Sequence, residues 1–199
     1  GGGIPSGDDA FSLNTGSVPG AQASINVELD GPAALGTEYV ITEAGNSDFE
    51  LTDVVCVDQA GTQVGTGNVG ARTATVTLVP SDNVTCTFRN QRLPDLTITK
   101  RAPGGGATEF GFTSPGLSPA SFTLTNGESQ AFNNVQPGSV TITEEAIPDG
   151  WDIEDISCTK TPTSQTTTSV TLDLEYGDDV DCVFNNSAIP PATLTVIKK

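Results

Sequence analysis

The sequence has no histidine, no methionine and one tryptophan, and its lysines and arginines together number only eight. Without histidine it lacks the most common general base and metal ligand of proteins, so we expect no enzyme activity, no cofactor and no metal site. The net charge is −17, and nucleic acid and anionic membranes are poor partners because both bind lysine- and arginine-rich surfaces. No apolar run approaches the length of a membrane span, so we expect no membrane insertion.

The residues that are abundant favour short strands and turns. Glycine numbers 22 and proline 13, and threonine and valine recur throughout the 199 residues. Apolar residues alternate with polar ones in short runs, as at Leu96 and Ile98 or at Val140 and Ile142, and no stretch has a helical period. Period-two runs separated by turn residues predict an all-β fold of the Ig-like sandwich type.

The two halves of the sequence resemble each other. Three segments of the first half recur about a hundred residues later, a period that is too long for a solenoid. The matching pairs are 39–44 with 140–145, 49–56 with 151–158, and 82–90 with 178–186. The repeat predicts two tandem domains, 1–93 and 94–188, followed by a linker and strand at 189–199.

The strand that opens the second repeat has a counterpart at the end of the chain. Residues 95–101 read Asp-Leu-Thr-Ile-Thr-Lys-Arg, and residues 192–199 read Ala-Thr-Leu-Thr-Val-Ile-Lys-Lys. The first repeat lacks this strand, so we expect a donor strand, with Leu194, Val196 and Lys198 on one face, to complete the first domain of a neighbouring copy. The absence of methionine at position 1 suggests a processed chain or an excised fragment.

Two alternatives to strand donation remain open from the residues. The chain is a window of a longer tandem array, in which Lys198 belongs to the next domain, or the tail folds back onto its own first domain. Sequence that continues beyond Lys199 in the native protein would favour the array.

Each repeat contains one pair of cysteines in equivalent positions, Cys56 with Cys86 and Cys158 with Cys182. The alternatives to disulfides are free core thiols or a metal site, and a metal site is disfavoured because the sequence has no histidine and neither pair has CxxC spacing. Two disulfides within the domains are therefore predicted, each contributing about 3–4 kcal/mol on the chain-entropy model. Disulfides indicate a location outside the cytosol.

Strand alternation puts three polar side chains, Lys100, Glu144 and Asn186, on the apolar faces of their strands. Burial favours a neutral, nucleophilic lysine and a protonated glutamate, which together can join the lysine to the asparagine amide and release ammonia. The product is an isopeptide bond. The alternative is that Lys100 reaches solvent at a strand end while the other two make ordinary hydrogen bonds.

The second repeat resembles the CnaB-type, prealbumin-like (SpaA-like) domains of prokaryotic surface proteins and pilins. The residues that carry the resemblance are Leu-Thr-Ile-Thr-Lys100, the segment 142–151 (Ile-Thr-Glu-Glu-Ala-Ile-Pro-Asp-Gly-Trp) and Cys-Val-Phe-Asn-Asn186. It extends over nearly all of 95–187 and less closely over 1–93. In that family the equivalents of Lys100, Glu144 and Asn186 form an intramolecular isopeptide bond, which the resemblance implies here.

The first repeat departs from this pattern because it has no Pro-x-Gly-Trp segment and no lysine. It retains Glu43 and Asn90, and the resemblance implies that Lys198 of a neighbouring subunit would bond to Asn90 beside Glu43.

Together these features predict an extracellular or cell-surface protein of two tandem prealbumin-like sandwiches, the first without its opening strand. We expect a structural subunit of a filament or pilus that assembles with itself head to tail by donor-strand complementation. Disulfides and isopeptide bonds would stabilise it. The alternative is a fragment of a tandem-repeat adhesin or stalk protein, and the sequence indicates no adhesive target.

Overall fold

Every regular element in the described residues, 36–145 and 147–198 of this computed structural model, is a β-strand. The chain divides into two compact units, Gly1–Arg92 and Leu93–Lys199. The all-β prediction is therefore confirmed. The expected absence of an opening strand in the first repeat concerns residues that lie outside the described ones.

The first unit contains five strands within its described residues. They are β1 Thr37–Thr42, β2 Phe49–Asp58, β3 Thr66–Asn68, β4 Thr73–Leu78 and β5 Val84–Arg92. One sheet has the order β1-β4-β3 and the other pairs β2 with β5, all antiparallel. The core between them is small, with five fully buried apolar residues among those described: Leu51, Val54, Cys56, Ala74 and Val76.

Within its described residues the second unit has nine strands around a core of its own. They are β6 Asp95–Arg101, β7 Phe110–Thr113, β8 Ser121–Leu124, β9 Ser129–Phe132, β10 Gly138–Glu145, β11 Trp151–Cys158, β12 Ser164–Gln165, β13 Ser169–Leu174 and β14 Asp179–Ala188. Two sheets, β12-β13-β10-β7-β8 and β11-β14-β6-β9, face each other across that core. Phe112 of the first sheet packs edge-on against Phe184 of the second, with ring centroids 5.2 Å apart.

A parallel pairing joins the first and last strands of the second unit. Strand β6 runs parallel to β14, with Leu96 opposite Val180 and Lys100 opposite Phe184, whereas the other pairings of this unit are antiparallel. Side chains alternate along both strands, so Leu96, Ile98 and Lys100 all enter the core. Within residues 36–92, β5 has only β2 as a partner.

A β-bulge recurs at the same place in both units. It lies between Leu51 and Asp53 in β2 and between Ile153 and Asp155 in β11. The extra residue shifts the alternation, which is why Leu51 and Val54, three residues apart, can both be buried.

Residues 190–198 lie in no strand within the described part of the chain. Leu194 is 87% exposed and Val196 84%. None of the described residues belongs to a helix with the length and apolar character needed to span a bilayer.

Candidate functional site

Lys100, Glu144 and Asn186 meet in the core of the second unit, and each is at most 2% exposed. The Lys100 Nζ lies 3.3 Å from Oε1 and 3.4 Å from Oε2 of Glu144. It donates a hydrogen bond of 2.5 Å to the Asn186 Oδ1. The Asn186 Nδ2 in turn donates to the Glu144 Oε1 at 2.7 Å. The three side chains thus form one closed cluster.

The strands explain why these residues meet. Lys100 is on β6 and Asn186 on β14, which the parallel pairing holds side by side. Glu144 is on β10 of the opposite sheet and follows Val140 and Ile142 on the buried face. The alternation predicted from the sequence is the one that the structure has, and it brings three polar groups to one point between the sheets.

The cluster is enclosed by aromatic rings and one carbonyl group. The Lys100 Nζ lies 4.5 Å from the centroid of the Phe110 ring and donates to the Phe184 carbonyl oxygen at 3.0 Å. Trp151 packs edge-on against Phe110, with centroids 5.5 Å apart. No buried side-chain nitrogen or oxygen in the described part of the chain lacks a hydrogen-bond partner. The site is therefore apolar around a fully satisfied polar centre.

Burial moves the proton equilibria of the pair toward the neutral forms. Desolvation lowers the pKa of Lys100 below its usual value, and the attraction of Glu144 opposes this only in part. Desolvation likewise raises the pKa of Glu144, against the opposing effects of Lys100 and Asn186. A neutral amine next to an amide and a protonated carboxyl group has the components of amide exchange.

The first unit holds the same carboxylate–amide pair without a lysine. Glu43 directly follows β1, and its Oε1 accepts a 2.6 Å hydrogen bond from the Asn90 Nδ2 on β5. The other carboxylate oxygen of Glu43, Oε2, lies 2.6 Å from the Nη2 of Arg72. The side chains of Arg72 and Glu43 are 25% and 26% exposed, and Asn90 is exposed. This cluster therefore lies at the surface.

A family model described as "Prealbumin-like fold domain" matches residues 2–92 and again residues 96–188. The chain belongs to this family. The resemblance of both repeats to prealbumin-like domains is thereby confirmed. No curated protein sequence matches the chain.

Several solved structures of surface proteins are similar to this chain. One is an adhesin from Mobiluncus mulieris containing intramolecular disulfide, isopeptide and ester bond cross-links, with 16% identity, a TM-score of 0.39, and matching regions that cover 59% of this chain and 44% of the adhesin. The major pilin of Streptococcus pyogenes matches over 77% and 71% of the two chains, with 14% identity and a TM-score of 0.38. The group B streptococcus pilus 2b backbone protein matches over 78% and 94%, with 12% identity and a TM-score of 0.35.

The chain spans less than half of the length of the Mobiluncus adhesin. At these identities the likeness concerns the fold alone.

Each prealbumin-like unit contains the disulfide that the sequence predicts. Cys56 is bonded to Cys86 across β2 and β5, and Cys158 to Cys182 across β11 and β14. The bonded residues are direct register partners, with Cα atoms 3.9 and 4.1 Å apart. The cluster asparagine lies four residues after the second cysteine in both units, so the disulfide secures the strand that carries it.

Arg72 is a member of the first prealbumin-like cluster that the sequence reasoning did not identify. Its backbone oxygen accepts from the Glu43 N–H at 2.9 Å, as the Thr168 oxygen accepts from the Glu144 N–H at 2.9 Å. Arg72 and Thr168 are therefore equivalent positions. Aligning the residues just before β4 and β13 would have revealed an arginine in only one repeat.

The residues of the predicted donor strand, Leu194, Val196 and Lys198, are exposed and lie outside the strands of the described chain.

Proposed function

We propose that the chain is a structural subunit of an extracellular filament or pilus, with Lys100 bonded covalently to Asn186 and subunits joined head to tail by a donated strand. The cluster of Lys100, Glu144 and Asn186, fully buried and in mutual contact, is the observation that carries the proposal. Membership of the prealbumin-like family and the two disulfides support an extracellular, structural role.

The bond-forming step uses only groups within the cluster. The neutral Lys100 amine attacks the carbonyl carbon of the Asn186 side chain and forms a new C–N bond. Glu144, whose Oε1 is 2.7 Å from the Asn186 Nδ2, delivers a proton to that nitrogen as its bond to carbon breaks. Ammonia leaves, the surplus proton of the attacking nitrogen returns to Glu144, and a secondary amide remains. The reaction occurs once and consumes its own residues.

The mass of the denatured chain tests this step. After reduction, we expect a deficit of one ammonia relative to the sequence, and a peptide pair that joins Lys100 to Asn186. Lys100→Arg and Glu144→Gln should each restore the full mass, the first by removing the nucleophile and the second by removing the proton shuttle. A wild-type chain whose mass equals that calculated from its sequence, with no ammonia lost, would contradict the proposal.

The join between subunits would reproduce the pairing of β6 with β14. In the second unit, β14 has β6 beside it. Its equivalent in the first unit is β5, which within residues 36–92 has only β2 as a partner. Leu194, Val196 and Lys198 have the same alternation as Leu96, Ile98 and Lys100. Donation of this strand by a second copy would bury its exposed Leu194 and Val196 side chains and bring its Lys198 to Asn90.

Such a contact is heterologous and propagates from one copy to the next. Glu43 and Asn90 are hydrogen-bonded with nearly the same distance as Glu144 and Asn186, 2.6 against 2.7 Å, so an acceptor pair for a lysine is already arranged. The donated strand would thereby be locked by a second isopeptide bond, between copies.

Polymerisation of the purified chain tests the join. We expect a ladder of covalent multimers after boiling in denaturant with reductant. Lys198→Arg should abolish the ladder while leaving native multimers, because the strand still pairs. Wild-type multimers that dissociate completely into 199-residue monomers under these conditions would exclude the covalent join. Peptides from the native source that continue past Lys199 would instead favour the tandem-repeat adhesin or stalk, in which this strand serves the next domain of the same chain.

A further inference from the structure

The Arg72 side chain makes several contacts around the acceptor pair of the first unit. Its Nη2 lies 2.6 Å from the Glu43 Oε2, and its guanidinium also approaches the carbonyl oxygens of Glu43 and Ala44 at 3.4 Å. Glu43 is thus held on one side by Arg72 and on the other by Asn90. The carboxylate that would serve an incoming lysine already has a cation.

Arg72 reaches this position from a different part of the fold than Lys100 does in the second unit. It lies in the turn just before β4 and has a φ of 57°, a left-handed conformation that is uncommon for a residue other than glycine. The turn is closed by a hydrogen bond from the Arg72 N–H to the Val69 carbonyl oxygen at 3.1 Å. The equivalent residue in the second unit is Thr168, whose uncharged side chain cannot act as a cation.

The chemistry of arginine separates this contact from the one that Lys100 makes. A guanidinium keeps its charge throughout the accessible pH range and does not become a nucleophile, so it cannot consume the Asn90 amide. Arg72 can therefore balance the charge of Glu43 and leave the acceptor pair chemically intact.

The same contact stands in the way of a lysine. In the second unit the Lys100 Nζ lies within 3.4 Å of both oxygens of Glu144. A lysine entering the first unit in the same manner would approach the Glu43 Oε2, which Arg72 now holds. Because a quarter of the Arg72 side chain is exposed, it can turn outward to solvent without the core being opened.

We infer that Arg72 is a placeholder cation, which occupies Glu43 in the free first unit and is displaced when the lysine-bearing strand of a second copy enters. This rests on the strand exchange proposed above. Arg72 would stabilise the acceptor site before assembly. A donor strand would bind only if its own contacts outweigh the ion pair between Arg72 and Glu43.

A labelled peptide with the sequence of residues 190–199, added to the full-length chain, tests the inference. Binding is followed by fluorescence anisotropy, and covalent joining by gel after denaturation with reductant. Arg72→Thr installs the residue of the second unit, and Arg72→Gln is a second neutral variant that retains a hydrogen-bonding side chain. Lys160→Thr is the matched control, because it removes one positive charge that is also about a quarter exposed and ion-paired, at 2.7 Å to Asp178, but lies in the second unit.

We expect both Arg72 variants to bind the peptide about three- to tenfold more tightly than wild type and to join it faster, the range expected for losing one partly exposed ion pair. Lys160→Thr should match wild type, and Glu43→Gln should bind without joining. Equal or weaker binding by the Arg72 variants, with wild type binding normally, would overturn the placeholder and leave strand donation standing. If no variant binds the peptide, strand donation is wrong, and the placeholder is wrong with it because nothing displaces Arg72.

Discussion

The two units hold the same glutamate–asparagine pair at equivalent positions and place different basic side chains beside it. In the second unit the basic residue is Lys100, which is buried with Glu144 and Asn186 between two sheets. In the first unit it is Arg72, which reaches Glu43 from a turn at the surface. The hydrogen bond between carboxylate and amide is almost the same length in both. The basic residue and its burial are what differ.

That difference determines whether the glutamate–asparagine pair has a nucleophile beside it or only a balancing charge. Burial lowers the pKa of Lys100 and raises that of Glu144, which favours the neutral forms that amide exchange requires. A guanidinium cannot follow this course, since it stays charged and is not a nucleophile. One fold thus holds a buried cluster with the components of amide exchange in one unit and a partly exposed, charge-balanced pair in the other.

Removal of Lys100 should produce the largest effect. Lys100→Ala deletes the proposed cross-link and leaves Glu144 buried without its basic partner, so the second unit should lose about 3–5 kcal/mol of unfolding free energy. Denaturant unfolding, with Trp151 fluorescence to report on the second unit, measures the loss.

The matched change in the first unit is Arg72→Ala, which should cost far less because the pair is partly solvated. Equal losses in the two units would mean that burial is not what distinguishes the clusters.

Removal of a disulfide should be nearly as costly in either unit. Cys86→Ala with Cys56→Ala, or Cys182→Ala with Cys158→Ala, opens a loop of 30 or 24 residues and should cost about 3–4 kcal/mol. The second unit would keep its proposed Lys100–Asn186 cross-link after reduction, so we expect the first unit to unfold first when the disulfides of the wild-type protein are reduced.

Limited proteolysis after reduction, with the fragments sized by mass spectrometry, checks the order of unfolding. Cleavage confined to the second unit would contradict it, and would indicate that the proposed Lys100–Asn186 bond does not protect that unit.

Much of this comparison was accessible from the sequence, and the reason is strand periodicity. Alternation alone put Lys100, Glu144 and Asn186 on buried faces, and the repeat assigned Glu43 and Asn90 as their counterparts. Arg72 was not accessible in this way. Its position depends on a left-handed turn between two strands, where side-chain direction follows from backbone geometry and not from a period.

A smaller effect is expected on how the stability of the second unit depends on pH once Lys100 has been replaced, and its sign follows from the pKa of Glu144. In Lys100→Met, the attraction that holds down the pKa of Glu144 is gone while desolvation still raises it. A carboxyl group with a raised folded pKa contributes stability that is complete below its ordinary value of 4.5 and is lost as pH rises through the raised pKa.

Lys100→Met should therefore lose stability from acid to neutral pH relative to the double variant Lys100→Met/Glu144→Gln, which has no such group. Urea unfolding of both proteins across that range gives the difference. A difference that is independent of pH would show that Glu144 titrates as an ordinary surface carboxylate.

The smallest effect expected is on the stability of the first unit when Arg72 is replaced by threonine. A pair with a quarter of each side chain exposed is screened by solvent and salt, so Arg72→Thr should lower the unfolding free energy by less than about 1 kcal/mol, and less still in high salt. Arg89→Thr, which removes a longer contact of 3.6 Å to Asp53, should have no measurable effect. Thermal unfolding of the free chain provides the values. A loss as large as that of Lys100→Ala would make Arg72 a permanent structural bridge, because a cation that contributes several kcal/mol to its own unit could not yield to an incoming strand.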